Sequence, residues 1–233
     1  MINTIQGIVD AAKGGASGVI AVAAAHDEPV IEAVVAARRE GIATPILVGH
    51  ADEIRRMLRE QHEDPDAYQI VPADSDTDCA AQAVSLCAQG KANFLMKGIL
   101  GTADLMRAVF NKEQGLRTSH LTTHCMFYEI PALGKMLILT DGGVNTFPDL
   151  ENAAAVLQAL GYTSINAACI CGAEQVNPKV QSTVDADALS KMTDRWAKYN
   201  MQVCGPVALD LAVSKEACKH KHFTAPGAGD TDI

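Results

Sequence analysis

Residues 96–107 read MKGILGTADLMR, and their types suit the holding of an anion. The apolar run 92–96 passes into Lys97-Gly98, and Gly101-Thr102 opens an amphipathic segment, a pattern that describes a strand, a tight loop and a helix N-terminus. Gly98 and Gly101 let the backbone turn and approach a ligand without a Cβ in the way. Thr102 suits the N-cap of a helix expected over about 103–111, whose free amides and positive dipole end point into the loop. Lys97 and Arg107 add positive charge, so a phosphate suits the site. The stretch is neither GxxxxGK nor GxGxxG, and Gly-Thr before a helix is also ordinary capping chemistry. By itself the loop favours ordinary capping over an anion site.

Other candidates carry less. His120 and His124 have the i, i+4 spacing of a helical metal pair, but residues 118–128 are rich in β-branched and aromatic side chains and read as a strand, where the two lie far apart. With no third ligand in view, no metal site is expected. His220 and His222 fall in a charged loop. Asp141 and Asn145 end an apolar strand, where they either orient a substrate or close a D-G-G turn. Cys169 and Cys171 form C-x-C, and strand alternation puts both on one face.

The 233 residues carry a formal net charge of −9, with 48% hydrophobic and 4% aromatic residues. That composition is globular, and the charge argues against nucleic acid or an anionic membrane as partner. An anionic substrate therefore needs local cations, and Lys97, Arg107, Lys112, Arg117 and Lys135 fall close together in sequence. The seven cysteines lie mostly in apolar runs and read as buried free thiols in a reducing, cytoplasmic compartment. Lys13 before the apolar run 19–25 imitates a secretory signal, but Asp10, the helical spacing of Ile5, Ile8 and Val9 and the shortness of the run argue against one. No segment approaches transmembrane length.

Strands expected over 18–25, 45–48, 69–71 and 92–96 alternate with helices over about 27–40, 52–60 and 76–89. This predicts a mostly parallel sheet covered on both faces, with ligands beyond the carboxyl ends of the strands, where His26-Asp27, Gly49-His50 and Lys97-Gly98 fall. The segments 121–129 and 136–140 read instead as a hairpin around 130–134. Asp149 caps a helix to about 160, and the alternation resumes with 165–171, a helix over 186–199, and Val203 leading into GPVALD. Two α/β domains are expected, 1–140 and 141–233.

Taken together, KGILGTADLMRAVF, LILTDGGVNTFPDLENAA, CGAEQVNPKVQSTVDADAL and GPVALDLAVS, in that order, resemble the phosphate acetyltransferase and phosphate butyryltransferase family over nearly the whole chain, the last two being nearer the butyryl branch. The resemblance implies two α/β/α domains on the plan of isocitrate and isopropylmalate dehydrogenases, with the active site in an interdomain cleft. It implies reversible transfer of a butyryl or acetyl group between coenzyme A and inorganic phosphate, with coenzyme A as substrate, no metal, no redox cofactor and a homo-oligomeric enzyme. Arg107 matches the arginine of the family's TADxxR-like motif, a ligand for phosphate or a coenzyme A phosphate, with Lys97, Gly98 and Thr102 beside it. Asp141 and Asn145 match a strand-end D-x-x-x-N facing the cleft. No residue stands out as the general base.

Family members continue past the stretch that matches APGAGDTDI, adding a strand and helix layer and a Ser-Arg dipeptide, so C-terminal elements are expected to be missing, with low activity and self-association as the result. Two alternatives remain: a non-catalytic remnant that binds coenzyme A or phosphate, and a metal- and NAD-dependent hydroxyacid dehydrogenase of similar plan, for which Asp141 and Asp210 would be the ligands.

Overall fold

A computed structural model describes residues 1–118, 122–144 and 150–233. The chain forms two compact units: an N-terminal one, Val9–Leu121, and a C-terminal one that joins Met1–Ile8 to Thr122–Ile233.

In the N-terminal unit β1 (Gly18–Ala23), β2 (Ala43–Gly49), β3 (Gln69–Pro72) and β4 (Phe94–Lys97) form a four-stranded sheet in the order β3-β2-β1-β4, every pairing parallel. The side-chain period of two sorts the central strands between two cores. Ala21, Ala23 and Val48 meet Ala80 and Ala83 of α4 (Asp76–Ala88) together with Leu105 of α5 (Thr102–Val109). Val22 and Leu47 meet Ile31, Val34 and Val35 of α2 (Glu28–Arg39) and Ile54 and Leu58 of α3 (Ala51–Glu60) on the opposite face. A sheet buried on both faces explains why its strands read as continuous apolar runs. The chain moves outward from β1 through β2 to β3 and then returns to the other side of β1 as β4. The order therefore reverses between β1 and β4, the place where open α/β sheets bind ligands.

The C-terminal unit contains the antiparallel pair β5 (Met126–Ile130) and β6 (Lys135–Leu139), joined by a 3-10 turn Pro131–Leu133 and Gly134 at φ 63. It also contains the parallel pair β7 (Ile165–Ile170) and β8 (Met201–Val207). The hairpin belongs here rather than with the residues before it, where a division at 140/141 would place it. Ile138 is buried with Leu157, Ile165 and Trp196, and Met136 N donates to Asn3 O. Residues 232–233 link the two pairs: Ile138 N donates to Asp232 O, Asp232 N to Asn166 O, and Ala168 N to Ile233 O.

The helix expected over 186–199 is two: α7 (Gln181–Ser190) and α8 (Thr193–Ala197), with α6 (Leu150–Ala159) packed in the same core. Short helices α9 (Leu209–Val213) and α10 (Lys215–His220) follow β8, and α1 (Ile5–Gly14) opens the chain. Among the described residues no helix is long and apolar enough to cross a membrane.

Candidate functional site

Gly98 begins the loop after β4, and only glycine fits there: a Cβ would lie 2.1 Å from Ala24 O and 2.6 Å from Ala23 O. The close approach is used by hydrogen bonds, Gly98 N donating to Ala23 O at 2.8 Å and Ile99 N to Ala24 O at 2.9 Å. These two amides are thus committed to β1, and the loop's free donors lie further on. Leu100 anchors the loop in the same core as Leu105. Lys97 curls over it, donating from Nζ to Gly98 O at 3.2 Å and Leu100 O at 3.0 Å.

Gly101, not Thr102, occupies the cap of α5, and no side chain caps the helix. Thr102 is the first helical residue, where backbone amides have no intrahelical acceptor and favour a negative charge. The helix supplies such a charge itself. Asp104 folds back so that its Oδ2 would stand 2.9 Å from a Cβ on Gly101, and its Oδ1 accepts from Arg107 Nη1 at 2.6 Å. Arg107, with 70% of its side chain exposed, is therefore turned toward its own helix N-terminus while paired with a carboxylate. Lys97 ends β4, Gly98 begins the loop, and Thr102 and Arg107 lie on α5. Lys135 lies on β6 in the C-terminal unit, where its Nζ is 3.0 Å from Asp230 and 3.3 Å from Asp232.

The same sheet edge carries a feature that spacing does not reveal. β1 and β2 run side by side with Ala23 opposite Val48, so the residues just past each strand, His26 and His50, come together. Their rings stack with centroids 3.9 Å apart and 14° between planes. Burial, reinforced by the neighbouring His50, pushes the His26 pKa below its ordinary value.

Asp141 belongs to the C-terminal unit. Its Oδ1 accepts from Gly143 N at 2.9 Å and Val144 N at 2.7 Å, and its Oδ2 from His124 N at 2.9 Å. This is turn chemistry, the carboxylate holding the D-G-G backbone in place. Asn145, His120 and the Asp149 cap lie outside the described residues. His124 precedes β5 rather than lying on a strand, and its Nδ1 is buried with no hydrogen-bond partner among the described residues. Asp210 pairs with Lys221 at 3.0 Å, which lowers its pKa.

Among the described residues no three His, Cys, Asp or Glu side chains converge as metal ligands. The C-x-C pair does not share a strand face, because β7 ends at Ile170 after an irregularity in its pairing. Burial pushes the Cys169 thiol up to about 12 and Cys204 to about 11, which leaves both poor nucleophiles at neutral pH.

The sequence profile of the family described as phosphate acetyl/butaryl transferase matches residues 3–82 and 75–233. The phosphate butyryltransferase of Clostridium acetobutylicum is 41% identical over 240 residues, which cover 100% of this chain and 80% of that protein. The phosphate acetyltransferase of Thermotoga maritima is 37% identical over 238 residues, covering 98% of this chain and 80% of that one. The crystal structure of a branched-chain phosphotransacylase from Enterococcus faecalis superposes with a TM-score of 0.76 at 30% identity, over 92% of this chain and 77% of that one. A phosphotransacetylase from Streptococcus pyogenes, at 17% identity, shares the fold with a TM-score of 0.72 over 98% of this chain and 80% of its own.

Proposed function

The chain belongs to the phosphate acetyl/butaryl transferase family, and on that premise we propose that it transfers a butyryl or acetyl group between coenzyme A and inorganic phosphate. What supports this reading is the β4–α5 loop at the sheet's reversal point, with Lys97 at the end of β4 and Thr102 and Arg107 on α5. Both substrates present phosphate, and a phosphate suits the positive end of α5 and the Arg107 guanidinium.

A phosphate arriving at the Thr102 and Ala103 amides meets the positive end of α5 and competes with Asp104 for Arg107. The exchange replaces an exposed side-chain pair with charge-assisted bonds to a dianion. Arg107 then binds and orients the phosphate, an oxygen of which attacks the acyl carbonyl of the thioester and expels the coenzyme A thiolate without a covalent enzyme intermediate; in the reverse direction the thiolate attacks the acyl phosphate and expels phosphate. Asp141 acts at one remove in this scheme, shaping the Gly142-Gly143 turn. Coenzyme A is a substrate here, no metal or redox group takes part, and the enzyme works in the cytoplasm as a homo-oligomer.

The test follows coenzyme A thiol release from butyryl-CoA and from acetyl-CoA, with and without inorganic phosphate and chelator. Release that depends on phosphate and ignores chelator is expected. Release that needs a divalent cation, or that runs equally without phosphate, overturns the proposal. Binding of coenzyme A with no turnover identifies a binding protein instead.

A further inference from the structure

The turn that follows β1 is held from both sides. On one side its Ala23 and Ala24 carbonyls accept from Gly98 N and Ile99 N of the anion loop. On the other, Ala25 N donates to Val48 O at 2.8 Å, and His50 N donates to His26 Nδ1 at 3.4 Å. Between them Ala24 sits at φ 56, a left-handed conformation that costs a residue with a Cβ and persists where its surroundings enforce it. The packing against His26 is close: a Cβ on Gly49 would lie 2.5 Å from His26 Nδ1.

The bond from His50 N fixes the chemistry of His26. An imidazole nitrogen accepts only when it bears no proton, so Nδ1 is bare and the ring proton sits on Nε2. Protonation at Nδ1 converts that acceptor into a donor aimed at another donor, and it sets a cation against a second imidazole 3.9 Å away.

We propose that the His26–His50 stack is a positioning element for the anion loop: the neutral His26 ring, stacked on His50, holds the Ala23–His26 turn, and with it Gly98 and Ile99, and protonation of His26 loosens them. The coupling stands on the geometry, and only the identity of the bound phosphate group rests on the acyl-transfer reading. The charged and titratable groups around His26 are His50 at the start of α3, Glu53 in its first turn, Asp27 before α2 and Asp76 at the start of α4. The three carboxylates favour the cation, but burial and His50 outweigh them, so His26 is neutral at pH 7 and the loosening falls on the acid side of 6.5.

The experiment is an NMR titration of the whole chain without ligand, following the His26 ring together with the amides of Gly98 and Ile99. Expected is a His26 midpoint below 6.5, with both amides shifting at that midpoint. In His26→Gln those amide shifts shrink severalfold, and in His50→Gln the His26 midpoint moves up toward its ordinary value. The KM for phosphate should also rise more steeply on acidification in the wild type than in His26→Gln. Amides that stay silent through the His26 titration, or that move equally in His26→Gln, overturn the proposal. Should His26→Gln not fold, an unchanged His26 midpoint in His50→Gln overturns it as well. If the amides follow His26 but no acyl transfer is found, the function is wrong and the coupling stands.

Discussion

Arg107 separates binding from stability. Its partner Asp104 is on the same helix and the guanidinium is largely in water, where ion pairs contribute about 0–1 kcal/mol. Arg107→Ala should therefore leave the denaturation midpoint nearly unchanged. Charge-assisted bonds to a phosphate are worth about 1.5–3 kcal/mol, or roughly 10- to 150-fold in affinity. We expect phosphate affinity, measured by titration calorimetry, to fall by that factor, and equal affinity in the folded variant would remove Arg107 from the site. The loop itself was legible in the sequence, because a strand running into Lys-Gly and a helix opened by Gly-Thr are local signals. The back-folding of Asp104 was not, since a carboxylate at the third helical position also reads as ordinary first-turn charge. Nor was the His26–His50 pair, whose two members are brought together by strand order alone. Where Thr102 was expected to cap, Gly101 does so, a one-residue shift that makes Thr102 the first helical residue.

The break between α7 and α8 shows what periodicity misses at the scale of elements. Apolar spacing runs through 186–199, yet the chain leaves the helix at Lys191 and Met192 and restarts, Met192 having ψ 46. The restart lets the Trp196 indole, buried in the core, donate from Nε1 to Leu189 O at 2.7 Å, satisfying a carbonyl in the last turn of α7. Trp196→Phe keeps an aromatic ring but removes this bond, while Leu189 O still accepts from Met192 N at 3.1 Å, so the cost should be that of one hydrogen bond, about 0.5–1.5 kcal/mol, which urea unfolding should register. Glu151 ties α6 to α8 and the segment after it: Arg195 Nε lies 2.7 Å away, Lys198 Nζ 3.2 Å, and Tyr199 OH donates at 3.0 Å. Arg195, Lys198 and Tyr199, in that order of effect, hold its carboxyl down to about 2. Its folded pKa lies below the ordinary 4.5, so its contribution is complete above 4.5 and disappears as pH falls toward 2. Glu151→Gln should accordingly lower Tm at neutral pH, with the gap to wild type closing across that window. A gap that stayed constant down to pH 2 would mean that the carboxylate's charge is not what joins these helices.

At the scale of the whole molecule, the α/β class and the parallel sheet were legible because both faces of β1 and β2 are buried, leaving runs of Val, Ile and Ala with no polar alternation. The division of the chain was less so. A hairpin looks alike whichever unit it joins, and here it is claimed by contacts distant in sequence, Asn3 on one side and Asp232 on the other. The units nevertheless have separate apolar cores, one centred on Leu47 with Ile31 and Leu58, the other on Leu157 with Ile165 and Trp196. Each leucine is fully or almost fully buried, and truncation to Ala costs about 2–5 kcal/mol at such sites. Because the two clusters have no described residue in common, their effects should add within about 0.5 kcal/mol. Hydrogen exchange reads the same independence locally: Leu47→Ala should speed exchange in β1 and β2 while leaving β7 and β8 protected, and Leu157→Ala should do the reverse. Equal acceleration in both units by either substitution would show that they open as one cooperative body, and the assignment of stability to two cores would then be wrong.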